Sequence, residues 1–144
     1  MFSKACEYGI KATIFIVLKS HEGKRVNPKE IAKEIDSPEA FTAKILQALV
    51  RHEVIVSVKG TYGGFEIDKD KISTIKLADA VRAIDGDSIF NGCGLGLKSC
   101  DEDHPCPVHD KFKDIRDALK NMLEQTSFEE LAFNIKSGAS FLKL

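Results

Sequence analysis

The stretch VNPKEIAKEIDSPEAFTAKILQALVRHEVIVSVKGTYGGFEI, residues 26–67, leaves few choices to the fold. Asn27 is a helix cap, Pro28 suits the first helical position, and Glu30 completes a capping box. Val26 and Ile31 can staple the chain across that cap. The helix should end near Ile35, and Ser37 and Pro38 start another at once, as cap and first helical residue, with Phe41, Ile45 and Leu49 forming its apolar stripe. Two helices joined by so short a turn cannot lie antiparallel and must cross steeply, which is a helix-turn-helix. Residues 54–58 are β-rich, 59–64 form a glycine-containing turn, and Phe65–Ile67 returns as a strand, so a β-hairpin follows. A helix-turn-helix with a hairpin directly behind it is a winged helix. Its second helix enters the major groove of DNA and the hairpin lies beside it.

The flanking segments fit a mostly α-helical chain with one small hairpin. Residues 3–20 carry Tyr8, Ala12, Phe15 and Leu18 at helical spacing, and "HEGKR" (21–25) is a polar loop. Residues 74–85 predict a helix with Leu77, Val81 and Ile84 inward and Gly86 as its stop. Further on, Val108, Phe112, Ile115, Leu119 and Met122 follow at spacings of 4, 3, 4 and 3 on a charged helix. That narrow seam resembles a short coiled coil and points to a homodimer. Ser127 and Glu130 form a second capping box and open a last short helix. The organisation expected is a winged helix-turn-helix domain over 1–88, a cysteine-rich loop over 89–108, and a dimerisation helix with a C-terminal helix over 109–144.

With 144 residues, 43% of them apolar and 30% charged, an ordinary globular protein is expected. No apolar run approaches the roughly 20 residues that span a bilayer, so no membrane partner is expected. The first helix is interrupted by Glu7 and Lys11 and has no cleavage site behind it, so it reads as a core helix, not a signal peptide. A cytoplasmic location follows, where thiols stay reduced and clustered cysteines are metal ligands or redox centres sooner than structural disulfides. Net charge is −1, slightly positive before residue 72 and slightly negative after it.

The DNA-facing candidates are Ser37, Thr42, Lys44, Gln47 and Arg51 on the second helix, and Lys59, Thr61 and Tyr62 at the wing tip. Hydroxyls bond phosphates or base edges, Gln pairs with adenine, and Lys or Arg with guanine or phosphate. The partner implied is double-stranded operator DNA, read as two half-sites by a symmetric dimer.

Residues 91–110, NGCGLGLKSCDEDHPCPVHD, hold three of the four cysteines. Cys93, Cys100 and Cys106 are spaced Cys-x6-Cys-x5-Cys, and His109 lies three residues past the last. Structural zinc sites usually present Cys-x2-Cys knuckles, and none occurs here. A wider loop suits an iron–sulfur cluster, of 2Fe-2S or 4Fe-4S type, held by thiolates. A fourth ligand is missing from a pure cysteine set: His109 is the local candidate and His104 a second, while Cys6 and Glu7, on the first helix, could come from a partner subunit. Zinc ligation or a thiol/disulfide switch are the other readings. An enzyme is not indicated: no Cys-x-x-Cys stands at a helix N-terminus, and CGLGLKSC lacks the strand-to-helix setting of a phosphate loop.

EYGIKA, VNPKEIAKEI, LQALVRHEVIVSVKGTYGGFEI and IKLADAVRAIDG together resemble the Rrf2 family of bacterial transcription regulators, nearly end to end. VKGTYGGFEI is similar to that family's wing signature. The resemblance implies a dimeric winged-helix regulator, and the cysteine triad implies its cluster-binding branch. Cys93, Cys100 and Cys106 would be the cluster thiolates, and His109 matches the fourth ligand of the iron–sulfur biogenesis regulator. Glu7 falls where a partner-subunit carboxylate completes the cluster in the nitric-oxide and redox regulators, and Lys59 matches the wing arginine that enters the minor groove. The chain departs from the family in its six-residue first cysteine spacing, in Lys11 where the redox regulator has a histidine, and in Ala40 and Ala43 where the biogenesis regulator has polar base-contacting residues.

Overall fold

A computed structural model describes residues 1–143, so the 109–144 unit is described to its penultimate residue and residue 144 lies outside the described residues. The elements run α1 (Lys4–His21), α2 (Pro28–Glu34), α3 (Glu39–Arg51), β1 (Val56–Val58), β2 (Gly64–Glu66), α4 (Lys69–Ile72), α5 (Leu77–Asp85), α6 (Ser88–Asn91), α7 (His109–Gln125) and α8 (Phe128–Lys136). The fold is a winged helix-turn-helix, mostly helical with a two-stranded antiparallel hairpin.

The capping box forms as read. Asn27 Oδ1 accepts from the Glu30 N–H at 2.9 Å, and a Glu30 carboxylate oxygen accepts from the Asn27 N–H at 2.9 Å. Val26 and Ile31 are both buried behind it. At the next helix the expectation fails. Pro38 is the cap position of α3 and no side chain caps it. The Ser37 hydroxyl is diverted to the Thr42 hydroxyl, 2.6 Å away.

β1 and β2 pair with Val56 opposite Glu66 and Val58 opposite Gly64. Val26 adds a single bridge to Phe65, with N–H to carbonyl distances of 3.2 and 2.8 Å. The loop before α2 is therefore stitched to the wing, a pairing no local pattern announces.

α1 was expected to bury one stripe through Tyr8, Ala12, Phe15 and Leu18. It buries Cys6, Gly9, Thr13, Ile16, Val17 and Ser20 along with Ala12, while Tyr8, Phe15 and Leu18 sit only half-covered at the rim. The reason is that α3, α5 and α8 all pack on α1 and enclose it from several sides. Gly9 is the point of closest approach, where a side-chain methyl would meet Ile84 of α5.

The helix expected over 74–85 begins only at Leu77. Ile75 and Lys76 are held extended: the Ile75 carbonyl accepts from the Phe128 N–H at 3.0 Å, the Thr126 carbonyl accepts from the Leu77 N–H at 3.0 Å, and Lys76 bridges Ser127. Gly86 ends α5 with a φ of 74°, a positive value that glycine adopts without a side-chain clash. α6 is a single turn with Phe90 buried beneath it. The Ser127 hydroxyl accepts the Glu130 N–H at 3.1 Å and starts α8, and Phe128 and Ala132 enter the same core as α1 and α5.

α7 leaves two distinct faces. His109, Arg116, Leu119 and Leu123 turn toward the body of the molecule, whereas Phe112, Ile115 and Met122 are exposed. Leu119, grouped by spacing with the exposed seam, packs instead against the core.

Candidate functional site

The exposed face of α3 carries Lys44, Gln47 and Arg51, whose spacings of three and four place them on one stripe. Ser37 sits half-buried at its start. Thr42 is corrected by the structure: it is fully buried, and its hydroxyl donates to the Pro38 carbonyl at 2.9 Å and meets the Ser37 hydroxyl. It holds the first turn of α3 in shape and has no surface to offer DNA. At the wing, Lys59, Thr61 and Tyr62 are all exposed, Tyr62 to 87%.

Arg25 braces this tip. Its Nη1 donates to the Tyr62 carbonyl at 3.1 Å and its Nε pairs with the Glu66 carboxylate at 3.0 Å. The sequence reading missed it inside the polar loop 21–25, because its role depends on the Val26–Phe65 bridge.

The paired wing glycines have a steric cause. A methyl on Gly63 would lie 2.2 Å from the Val58 carbonyl oxygen, and Gly64, at φ 141°, would place one 2.9 Å from the Val26 carbonyl oxygen. Gly63→Ala should therefore displace the wing while sparing the core. Losing wing contacts worth about 1–3 kcal/mol weakens DNA binding roughly ten- to hundredfold. Fluorescence anisotropy with a duplex selected from a random-sequence pool checks this, with a thermal melt alongside; unchanged affinity would show the wing idle.

The cysteine loop leaves α6 at Gly92 and rejoins helix at His109. Cys93 and Cys106 Sγ atoms stand 3.7 Å apart, close to the separation of two thiolates bound at about 2.3 Å to one tetrahedral metal. Cys100 Sγ lies 3.4 Å from Nδ1 of His109, which is buried at the first position of α7. The Leu95 N–H donates to Cys93 Sγ at 3.4 Å; this, and the Leu97 N–H after it, hold the Cys93 thiol below its ordinary range. Arg116 Nη1 donates to Cys100 Sγ at 3.1 Å and to the Gly92 carbonyl at 3.0 Å. A Glu102–Lys113 ion pair ties the middle of the loop to α7. Gly94 passes flat over the Phe112 ring, where a methyl would sit 2.6 Å from the nearest ring carbon.

The structure thus gathers Cys93, Cys100, Cys106 and His109 on one loop, as two pairs. Among the described residues, no three ligand side chains share a single metal-holding group. The donor set nonetheless fits a thiolate-held group: three soft sulfurs, an imidazole, backbone N–H groups aimed at sulfur, and a cation beside them. The remaining candidates stand apart. His104 Nδ1 is directed to Asp101 at 3.3 Å on the exposed side. Glu7 pairs with Lys4 at 3.0 Å, and no hydrogen bond or ion pair among the described residues links it to the loop. Cys6 is fully buried, and burial, with the Asp85 carboxylate nearby, pushes its thiol up to about 12. Enclosed in the core under α1, it does not face the loop.

Exposed basic and polar side chains on α3 and at the hairpin tip are the surface of a winged-helix DNA-binding regulator. The profile of the Rrf2 family, described as an iron-dependent transcriptional regulator, matches residues 2–134, and the chain belongs to that family. The HTH-type regulator NsrR of Oceanobacillus iheyensis is 26% identical over 132 residues, covering 91% of this chain and 88% of that protein. The HTH-type regulator CymR of Bacillus subtilis is 26% identical over 125 residues, covering 87% and 84%. Its solved structure, titled as the global cysteine regulator, superposes with a TM-score of 0.72 at 24% identity over 92% of this chain and 95% of that one. The structure of T. potens IscR superposes with a TM-score of 0.73 at 16% identity over 98% and 92%.

Proposed function

We propose that this transcriptional regulator is a homodimer whose operator affinity is set by an iron–sulfur cluster bound in the loop 89–108. The observation that carries the reading is the gathering of Cys93, Cys100, Cys106 and His109 between α6 and α7. His109 is favoured over Glu7 as fourth ligand because it already faces Cys100, whereas Glu7 is engaged with Lys4. A cluster supplies reactivity toward oxidants, nitric oxide and iron supply that side chains alone lack.

The protein's own part is to convert the state of the loop into dimer geometry. Arg116, the Glu102–Lys113 pair and the Gly94–Phe112 contact fasten the loop to α7, whose outer face carries Phe112, Ile115 and Met122. Residues 1–88 read DNA through Lys44, Gln47, Arg51, Lys59, Thr61 and Tyr62, with Ser37 at the start of the helix, and residues 109–144 supply the dimer contact. A change in loop conformation shifts the population of dimer geometries and so the spacing of the two recognition helices. No described helix is long and apolar enough to cross a membrane, which accords with a regulator working on DNA in the cytoplasm.

Anaerobic reconstitution with iron and sulfide tests the reading. The protein should gain visible absorption with iron and sulfide in matching amounts, and Cys100→Ser should abolish it. His109→Ala should weaken the cluster more than Glu7→Ala does, and binding to a selected duplex should differ between loaded and stripped protein. A colourless protein overturns the proposal.

A second reading rests on the 3.7 Å approach of Cys93 and Cys106, which also suits zinc ligation or a disulfide formed on oxidation. Zinc at one per chain without sulfide, or a Cys93–Cys106 crosslink in peptide mass spectra, supports it.

A further inference from the structure

Arg116 is the anomaly of the loop. It is half-buried on the inner face of α7, and its Nε is buried without any hydrogen-bond partner. Among the described residues no carboxylate stands within ion-pair distance of it, whereas Arg25 and Lys113 each have one. Its acceptors are the Cys100 sulfur and the Gly92 carbonyl. A guanidinium partly withdrawn from water favours a counter-charge or a full set of acceptors beside it, and a neutral thiol with one carbonyl leaves that set incomplete, with Nε unpaired. Thiolates provide the counter-charge. Burial here also keeps the charge effective, because the Coulomb interaction weakens with solvent exposure.

On the cluster reading above, we propose that Arg116 is the counter-cation of the loop: a positioning residue that orients Cys100 and favours the reduced form of the bound cluster. Reduction adds one electron, and so one negative charge, to a group already surrounded by thiolates. A fixed guanidinium against Cys100 stabilises that added charge. Because the same side chain holds the Gly92 carbonyl, it also ties the entry of the loop to α7. Arg116 is not a ligand; it acts on the cluster through Cys100.

The experiment is a mediated redox titration of anaerobically reconstituted full-length protein, with dithionite as electron donor, on wild type, Arg116→Gln and Arg116→Lys. For Arg116→Gln, the reduced-to-oxidised ratio at the wild-type midpoint should fall about tenfold, which is ~59 mV for a one-electron couple. Arg116→Lys keeps the charge and should recover most of that change. Thermal melts of the three stripped proteins should agree closely.

Arg116→Gln that loads fully and titrates at the wild-type midpoint overturns the assignment. If Arg116→Gln fails to load, Arg116→Lys decides: loading near wild type supports a charge role, and equal failure overturns it. Wild-type protein that takes up no iron and sulfide overturns the cluster reading itself, and this proposal with it.

Discussion

Phe128→Ala lowers the stability of the protein by about 3–5 kcal/mol, the range for deleting a fully buried aromatic ring. Phe128 is 0% exposed at the first turn of α8, among the core side chains of α1 and α5. Its N–H donates to the Ile75 carbonyl, and the Thr126–Leu77 hydrogen bond and the Lys76–Ser127 bridge flank it. The ring therefore anchors the C-terminal helix to the winged-helix core, and removing it leaves a cavity in a close-packed interior. For a chain of this size the loss lowers Tm by roughly 10 °C. Thermal and urea melts followed by circular dichroism, at one fixed protein concentration, measure it. A loss below about 1 kcal/mol would mean that α8 is not part of the core.

The Ser127 cap beside it is legible in the sequence, because the N–H it accepts lies three residues on, at Glu130; the return bond that would complete the expected capping box is not formed. Phe128 as keystone is not, because what makes it so is the extended Ile75–Lys76 segment some fifty residues earlier. The same division runs through the molecule. The Asn27–Glu30 box and the Gly86 stop were readable because each is settled by contacts within a few residues; the turn glycine Gly63 was too, whereas Gly64 and the stitching of the wing to Val26 depend on contacts about forty residues away. The inward face of α1 was misread because a helix enclosed from several sides has no single stripe for a period to reveal. The cap of α3 was misplaced because the Ser37 hydroxyl has a competitor for the backbone, Thr42, and that pairing removed a residue expected to touch DNA.

At the cysteine loop, sequence spacing located the donors, while the way they pair and the cation that accompanies them came only from the fold. Arg116 is one of several cations on α7, and nothing in its spacing separates it from Lys111, Lys113 or Lys120.

Ile115→Asp splits the proposed dimer and with it most of the DNA affinity. Ile115 is 67% exposed, near the middle of the outer face of α7, between Phe112 and Met122. A carboxylate there costs the folded monomer little, within about 0.5 kcal/mol for a surface position. In a homodimer the same change is made on both subunits, and a two-fold contact places two buried carboxylates close together in an apolar setting. Their desolvation and mutual repulsion exceed what a short helical seam contributes. Two half-sites held in one dimer bind DNA as a linked pair, and separating them forfeits an avidity gain of roughly a hundred- to ten-thousandfold. Light scattering behind size exclusion should give the dimer mass for wild type and the 15.9 kDa monomer mass for the variant. Anisotropy with a selected duplex should show the matching loss, while the thermal melt of the variant stays close to that of a wild-type sample diluted until it too is monomeric. A variant that remains dimeric would place the subunit contact on another face, and with it would break the proposed route from the cysteine loop through Gly94 and Phe112 to the spacing of the recognition helices.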